Sequence, residues 1–262
     1  MLLKDKVCIV SGVGPGMGGE LAQLIAAEGG IPVLAARTAG SLNHTTELLD
    51  AMKQDADYLA VPTDITQAEQ CDELVAKTLE KYNRIDCLFN NAYHPGEFDL
   101  VENTNFYSWK QALDVNLFGS LTMSQKVLPT MKKQKSGSIV MSNTMATRKP
   151  MLTHGGYAAS KAALASATTH LAQEVGQYGI RVNSVFMGWM WGPGVEIYCM
   201  MNAQQQETTP EEIRAEIAKN IALGDIPDDA DCAKAAIMLA SDYAAAVTGA
   251  SLDVNGGEFF AH

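Results

Sequence analysis

Tyr157 and Lys161 stand four residues apart in the run Tyr157-Ala158-Ala159-Ser160-Lys161, the spacing that puts two side chains on one face of a helix. A phenol titrates near pH ~10 and is a poor base at neutral pH, whereas a neighbouring ammonium favours its charged form. The pair is read as proton-transfer machinery, with Tyr157 as acid/base and Lys161 as the positive neighbour that draws it toward working pH. Alone, such a pair is usually an exposed helix pair, so the reading rests on its company.

Part of that company follows the first apolar run. Val7–Ser11 leads into Gly12, Val13, Gly14, Pro15, Gly16, Met17, Gly18 and Gly19 and then into helical periodicity. Glycines let a backbone turn sharply and approach a pyrophosphate held on a helix N-terminus. Gly14, Gly16 and Gly19 fit G-x-G-x-x-G, while Gly12, Gly16 and Gly18 fit a G-x-x-x-G-x-G spacing that begins directly after the strand and is better placed. A tight turn alone would also explain either.

On the dinucleotide reading, the end of the second strand selects the cofactor. An acidic residue would receive ribose hydroxyls there, but the chain has Ala36 followed by Arg37 and Thr38. A guanidinium suits a 2′-phosphate, so NADP(H) is preferred; with no acidic gatekeeper NAD(H) is possible. Asp64, after the third strand, is placed to cap a helix or to accept a bond from adenine, roles that can coexist.

Three further motifs complete a pattern: Asn90-Asn91-Ala92 after the fourth strand, Asn116 within Asp114-Val115-Asn116-Leu117, and the Tyr157–Lys161 run itself. In this order, spanning almost the whole chain, they resemble the short-chain dehydrogenase/reductase family. The resemblance implies that Tyr157 is the general acid/base, that Lys161 binds the nicotinamide ribose and biases the tyrosine, and that Asn116 holds a water in a proton relay. It also implies a cofactor lying against Gly12, Gly16, Met17 and Gly18, then Arg37, Thr38, Asp64 and Ile65, and finally Asn91, Tyr157, Lys161 and Met190. The family usually has a carbonyl-polarising serine thirteen positions before the tyrosine; that position is Thr144, with Ser142 the nearest rival. Tyr93 stands where the family commonly has glycine and Met187 where it commonly has proline, departures that narrow the space beside the cofactor and free a backbone angle before the substrate segment.

Strand-like runs at 7–11, 31–36, 58–62, 87–90, 138–142, 181–186 and 251–254 alternate with helical periodicity at 18–28, 67–82, 109–128 and 157–177. This alternation predicts an α/β fold: a single doubly wound Rossmann-type domain over residues 1–262, with a central parallel sheet of about seven strands. Ligands then bind beyond the carboxyl ends of the strands, where the motifs fall. The stretch 188–209 breaks the rhythm as a long insertion before a helix opened by Pro210, Glu211 and Glu212. It reads as a substrate loop, with Trp189, Met190, Trp191, Val195, Ile197, Tyr198, Met200 and Met201 as an apolar wall or, equally, a subunit interface.

Composition excludes several classes. With 30 acidic against 19 basic residues and a net charge of −11, the surface repels a phosphate backbone, so no nucleic-acid partner is expected. The one basic run, Lys132, Lys133 and Lys135, reads as a solvated face. The five cysteines are scattered free thiols, and His44, His94, His154, His170 and His262 lack ligand spacing, so no metal is expected; His94 and His154 are candidate pocket residues. No apolar run is long enough to span a bilayer, so a cytoplasmic protein is expected, and the family resemblance implies a homo-oligomer, tetramer or dimer. The function expected is interconversion of a secondary alcohol and a ketone on a bulky apolar small molecule such as a hydroxysteroid. The rivals are a 3-oxoacyl thioester reductase and a non-catalytic dinucleotide-binding regulator, the latter disfavoured because Tyr157, Lys161 and Asn116 are all present.

Overall fold

Seven apolar runs pair side by side in the computed structural model, all in parallel, in the order β3-β2-β1-β4-β5-β6-β7. They are β1 Val7–Ser11, β2 Ile31–Ala36, β3 Leu59–Pro62, β4 Cys87–Asn90, β5 Gly137–Thr144, β6 Ile180–Met187 and β7 Ser251–Val254. Residues 1–52 and 57–261 are described, so His262 lies outside the described residues. Strand alternation sends Cys8 and Val10 to one face of the sheet and Val7 and Ile9 to the other. The first face is covered by α1 (Met17–Ala27), α2 (Ala39–Asp50) and α9 (Asp229–Ala240) through Leu21, Leu42 and Ile237. The second is covered by α3 (Ala68–Tyr82), α5 (Ser120–Gln134) and α6 (Gly155–Val175) through Leu74, Met123 and Leu164. Leu21, Leu74 and Leu164 are fully buried, and truncating such side chains to alanine costs about 2–5 kcal/mol each. The doubly wound α/β class expected from the alternation is therefore present, with its apolar runs buried on both faces.

The strand order reverses between β1 and β4, because the chain builds outward through β2 and β3 before returning to the other side of β1. Loops leaving neighbouring strands in opposite directions part there and open a crevice at the carboxyl ends. Two elements differ from the sequence reading. The 109–128 periodicity belongs to a longer rod of α4 (Phe106–Leu113), a π-helical turn at Asp114–Gly119 and α5. The 188–209 insertion is largely helical: α7 spans Pro193–Gln206, and α8 (Pro210–Ala218) follows with Thr209 and Glu212 forming a capping box. Pro193 takes a first-turn position that needs no N–H, and the apolar side chains that follow ring the helix instead of marking one face, which hides it from a periodicity reading.

Candidate active site

The glycine turn forms the first wall of a cleft of about 570 Å³ at the β1/β4 crevice. Gly12 and Gly16 adopt φ of 85° and 91°, left-handed values that favour glycine. A Cβ on Gly12 would strike the Ala92 backbone, and one on Gly18 would strike the Gly12 carbonyl. The Gly12, Gly16, Gly18 register is thus the one with steric force, although Gly19 is also confined by the Gly14 carbonyl oxygen, 2.7 Å from where its Cβ would lie. α1 starts at Met17 without a side-chain cap, leaving early N–H groups for an anion. Asn91 ties the turn to its neighbours: Nδ2 donates to the Gly12 carbonyl at 2.9 Å, and Oδ1 accepts from Ser142 Oγ at 3.3 Å.

Beyond the end of β2, Thr38 caps α2 by accepting from the Ser41 N–H at 3.3 Å. Arg37 lines the cleft, is exposed and makes no ion pair among the described residues, so its guanidinium is available to a phosphate. Asp64 does not cap a helix as the sequence suggested. Its Oδ1 accepts from the Thr66 N–H at 2.9 Å and the Thr66 hydroxyl at 2.7 Å, closing a local turn, and α3 begins only at Ala68. Ile65 lines the cleft floor, packed so closely under Gly119 that a Cβ there would come within 2.7 Å of its side chain.

At the other end of the cleft, α6 presents Tyr157 on its first turn and Lys161 one turn later. β5 persists to Thr144, which lines the same cleft as Tyr157 and whose Oγ1 accepts from the Ala146 N–H at 3.2 Å. Ser142 leaves the same face two residues earlier but donates to Asn91. Lys161 is buried, and its Nζ donates to the Ser142 carbonyl at 2.6 Å. Burial lowers the Lys161 ammonium to about 7 and pushes the Tyr157 phenol well above its ordinary range; Tyr93 adds to the rise and Thr144 opposes it. Lys161 turns its Nζ to the Ser142 carbonyl, and burial sets the direction of the Tyr157 shift.

Asn116 sits fully buried in the π turn. Its Nδ2 donates to the His94 carbonyl at 2.9 Å and to Ser160 Oγ at 2.8 Å, while Oδ1 accepts from the His94 N–H at 2.7 Å. Ser160 Oγ in turn donates to the Tyr157 carbonyl at 2.7 Å. The side chain therefore fastens the loop after β4 to the start of α6.

The cleft is also lined by Tyr93, Phe98 and His154 and, from the 188–209 segment, by Trp189, Met190 and Val195. His94 is drawn instead into its loop, where Nδ1 accepts from the Gly96 N–H at 3.0 Å. The apolar wall expected from 188–209 is only partly assembled. Trp191 turns away beneath the Arg214 guanidinium, 3.9 Å from its ring, and Met200 and Met201 are each 58% exposed and outside the cleft lining. Helix geometry decides this: α7 turns Cys199 and Ala203 inward against Ile213, so neighbouring positions face out.

Two further residues shape the site without having been expected. Trp109 packs on Gly155 and Gly156, whose Cβ positions would fall within 2.9 and 2.6 Å of its ring, and so sets where α6 begins; the Gly-Gly pair was the available signal. Asp229 places its carboxylate beside Gly16 and Gly192, and burial raises its pKa. No local motif marks it, since the two glycines and Asp229 meet only in the fold.

Comparison with known proteins agrees with this geometry. The family model described as "Enoyl-(Acyl carrier protein) reductase" matches residues 12–258. The 3-oxoacyl-[acyl-carrier-protein] reductase FabG of Thermotoga maritima is 32% identical, over 98% of this chain and 99% of that protein. The 7alpha-hydroxysteroid dehydrogenase of Escherichia coli is 29% identical, over 97% and 94% of the two chains. The crystal structure of levodione reductase superposes with a TM-score of 0.91 at 28% identity, covering 98% of each chain. With the glycine turn and the Tyr157–Lys161 pair lining one cleft, and Asn116 buried and bonded to His94 and Ser160, the chain belongs to the short-chain dehydrogenase/reductase family of NAD(P)(H)-dependent oxidoreductases acting on CH–OH groups.

Proposed function

We propose that the protein interconverts a secondary alcohol and a ketone with NADP(H) as preferred cofactor and NAD(H) accepted, on a bulky apolar substrate such as a hydroxysteroid. The observation that carries this reading is that Tyr157, Thr144 and the glycine turn line one cleft, together with the aromatic rings of Tyr93, Phe98 and Trp189. When bound, the nicotinamide supplies or takes the hydride. In the reductive direction Tyr157 gives its proton to the carbonyl oxygen as Thr144 donates a hydrogen bond to it, and the protonated phenol favoured by burial is the form this needs. Lys161, with one N–H given to the Ser142 carbonyl, would hold the ribose hydroxyls through its remaining donors. Asn116, with its side chain spent on His94 and Ser160, serves a water relay through the main chain of the widened turn.

The same fit supports the cofactor assignment: three glycines whose Cβ positions are filled or strained, an uncapped helix start and an unpaired Arg37 suit a pyrophosphate and a 2′-phosphate. A 3-oxoacyl thioester substrate is the second reading, favoured by the name of the Thermotoga relative. The aromatic mouth of the cleft and the net charge of −11 argue against an acidic carrier protein. Five free, buried cysteines suit the cytoplasm, and exposed Phe106, Tyr107 and Phe118 on the α4–α5 rod suit a homo-oligomer, tetramer or dimer. The mechanism is tested by Tyr157→Phe, which removes one hydroxyl. Turnover falls by about 10²–10⁴ with NADP(H) affinity retained, and near-normal turnover would reject it.

A further inference from the structure

His154 immediately precedes α6, three residues before Tyr157, and lines the same cleft. Its Nδ1 lies 2.8 Å from the Leu152 carbonyl, which also accepts from the Thr153 hydroxyl at 2.6 Å. A carbonyl only accepts, so Nδ1 carries the proton, and the neutral ring keeps a lone pair at Nε2. Phe98 packs against the imidazole with ring centroids 4.8 Å apart and planes at 55°. Thr153, which delivers the histidine, stands at φ 68°, a left-handed value that is an outlier for a β-branched residue. A strained backbone at a cleft rim persists where surrounding contacts over-determine it, and here it orients one ring. The proton chemistry leaves that ring unused: Tyr157 and Thr144 already serve the reacting oxygen, and Nε2 has no partner among the described residues.

We propose that His154 is a specificity-determining residue whose Nε2 accepts a hydrogen bond from a second hydroxyl of the substrate, so that hydroxy-ketones and, in the oxidative direction, diols are preferred. The inference rests on the alcohol–ketone reading of the same cleft and narrows its substrate class. Tyr93, whose ring lies 6.3 Å from that of Tyr157, and Phe98 flank the apolar ring of such a molecule.

The test is oxidation with NADP⁺ under one fixed set of conditions. The substrates are cyclohexanol against its 1,2-, 1,3- and 1,4-diols and, as a bulkier set, 2-decalol against decalin diols. In the wild type at least one diol exceeds its mono-alcohol in kcat/KM per reactive hydroxyl by about threefold to tenfold, mainly through KM. His154→Phe keeps a ring against Phe98 without the acceptor, and the ratio falls to about one. His154→Asn restores an acceptor and recovers part of the preference. Turnover without any diol preference, or a preference that survives in His154→Phe, overturns this inference alone. A wild type that oxidises none of these alcohols overturns the alcohol–ketone reading and this inference with it.

Discussion

Thr144 and Ser142 leave one face of β5, yet the fold gives them different partners: the Ala146 N–H for the first, which leaves its hydroxyl proton free toward the cleft shared with Tyr157, and Asn91 for the second. Thr144→Val, similar in volume but without the hydroxyl, is expected to lower kcat by about 10²–10³, the loss that follows removal of one oxyanion donor. Thr144→Ser keeps the donor and remains active. Ser142→Ala leaves kcat near normal and weakens cofactor affinity, because Asn91 loses one of its two anchors. Steady-state rates and cofactor titrations separate these outcomes, and the reverse pattern assigns the hydroxyl to Ser142. Lys161 supplies a second residue-scale prediction. Burial lowers its pKa from the ordinary 10.5 to about 7, so between those values the unfolded chain carries a proton that the folded chain does not. The unfolded state then binds more protons, and stability of the cofactor-free protein rises with pH across this window, by at most about 1.4 kcal/mol per pH unit. Below about 7 both states are charged and the folded one bears the full desolvation cost. Urea denaturation between about pH 7 and about pH 9 is expected to show this rise in the wild type and lose it in Lys161→Met; parallel curves would refute the assignment.

The elements around the site act as spacers, and their tolerance follows from what they touch. Trp109 on α4 and the Gly155-Gly156 pair at the start of α6 are in contact, so the position of Tyr157 depends on an indole from another element. A methyl group at residue 156 would lie 2.6 Å from the Trp109 ring, and either the ring or the first turn of α6 must yield. Gly156→Ala is expected to cost about 1–3 kcal/mol of stability as overpacking and to lower kcat at least about tenfold by displacing the phenol, with cofactor affinity little changed. Trp109→Phe in the same background relieves the crowding and recovers part of kcat, as thermal melts and rate measurements on the pair of variants can establish. The α7 segment obeys the same logic: Met200 and Met201 point outward, whereas Trp189 and Val195 line the cleft, so substrate selectivity belongs to the latter two.

For the whole molecule, the charge distribution bears on the cofactor. A chain of net charge −11 presents the unpaired Arg37 at the end of the cleft where a 2′-phosphate would lie. Ligands that bind only the folded state stabilise it by mass action, by about 2.7 kcal/mol at 100 times Kd. At equal concentrations NADP⁺ is expected to raise Tm more than NAD⁺, and Arg37→Ala to abolish the difference while leaving the NAD⁺ shift in place. Equal shifts in the wild type would show that the end of β2 does not discriminate. Among the described residues no helix is long and apolar enough to cross a membrane.

Period and local chemistry made the architecture legible in the sequence alone: apolar runs alternating with helical patterns imply a parallel sheet, and the glycine turn, Asn116 and the Tyr157–Lys161 pair fall just beyond strands or on helix faces. Their register survives because strand and helix periods are properties of a few consecutive residues. What only the tertiary structure decided depends on groups distant in the chain. The helical state of 193–206 follows from packing against Ile213, the turn-closing role of Asp64 from where α3 begins, and the pocket placement of His154 from Phe98 and a strained Thr153. The direction of the Tyr157 shift is the plainest case. Spacing puts an ammonium on the same helix face as the phenol, but the desolvation that raises the phenol and the Ser142 carbonyl that takes the Lys161 Nζ belong to the packed interior, which spacing alone does not describe.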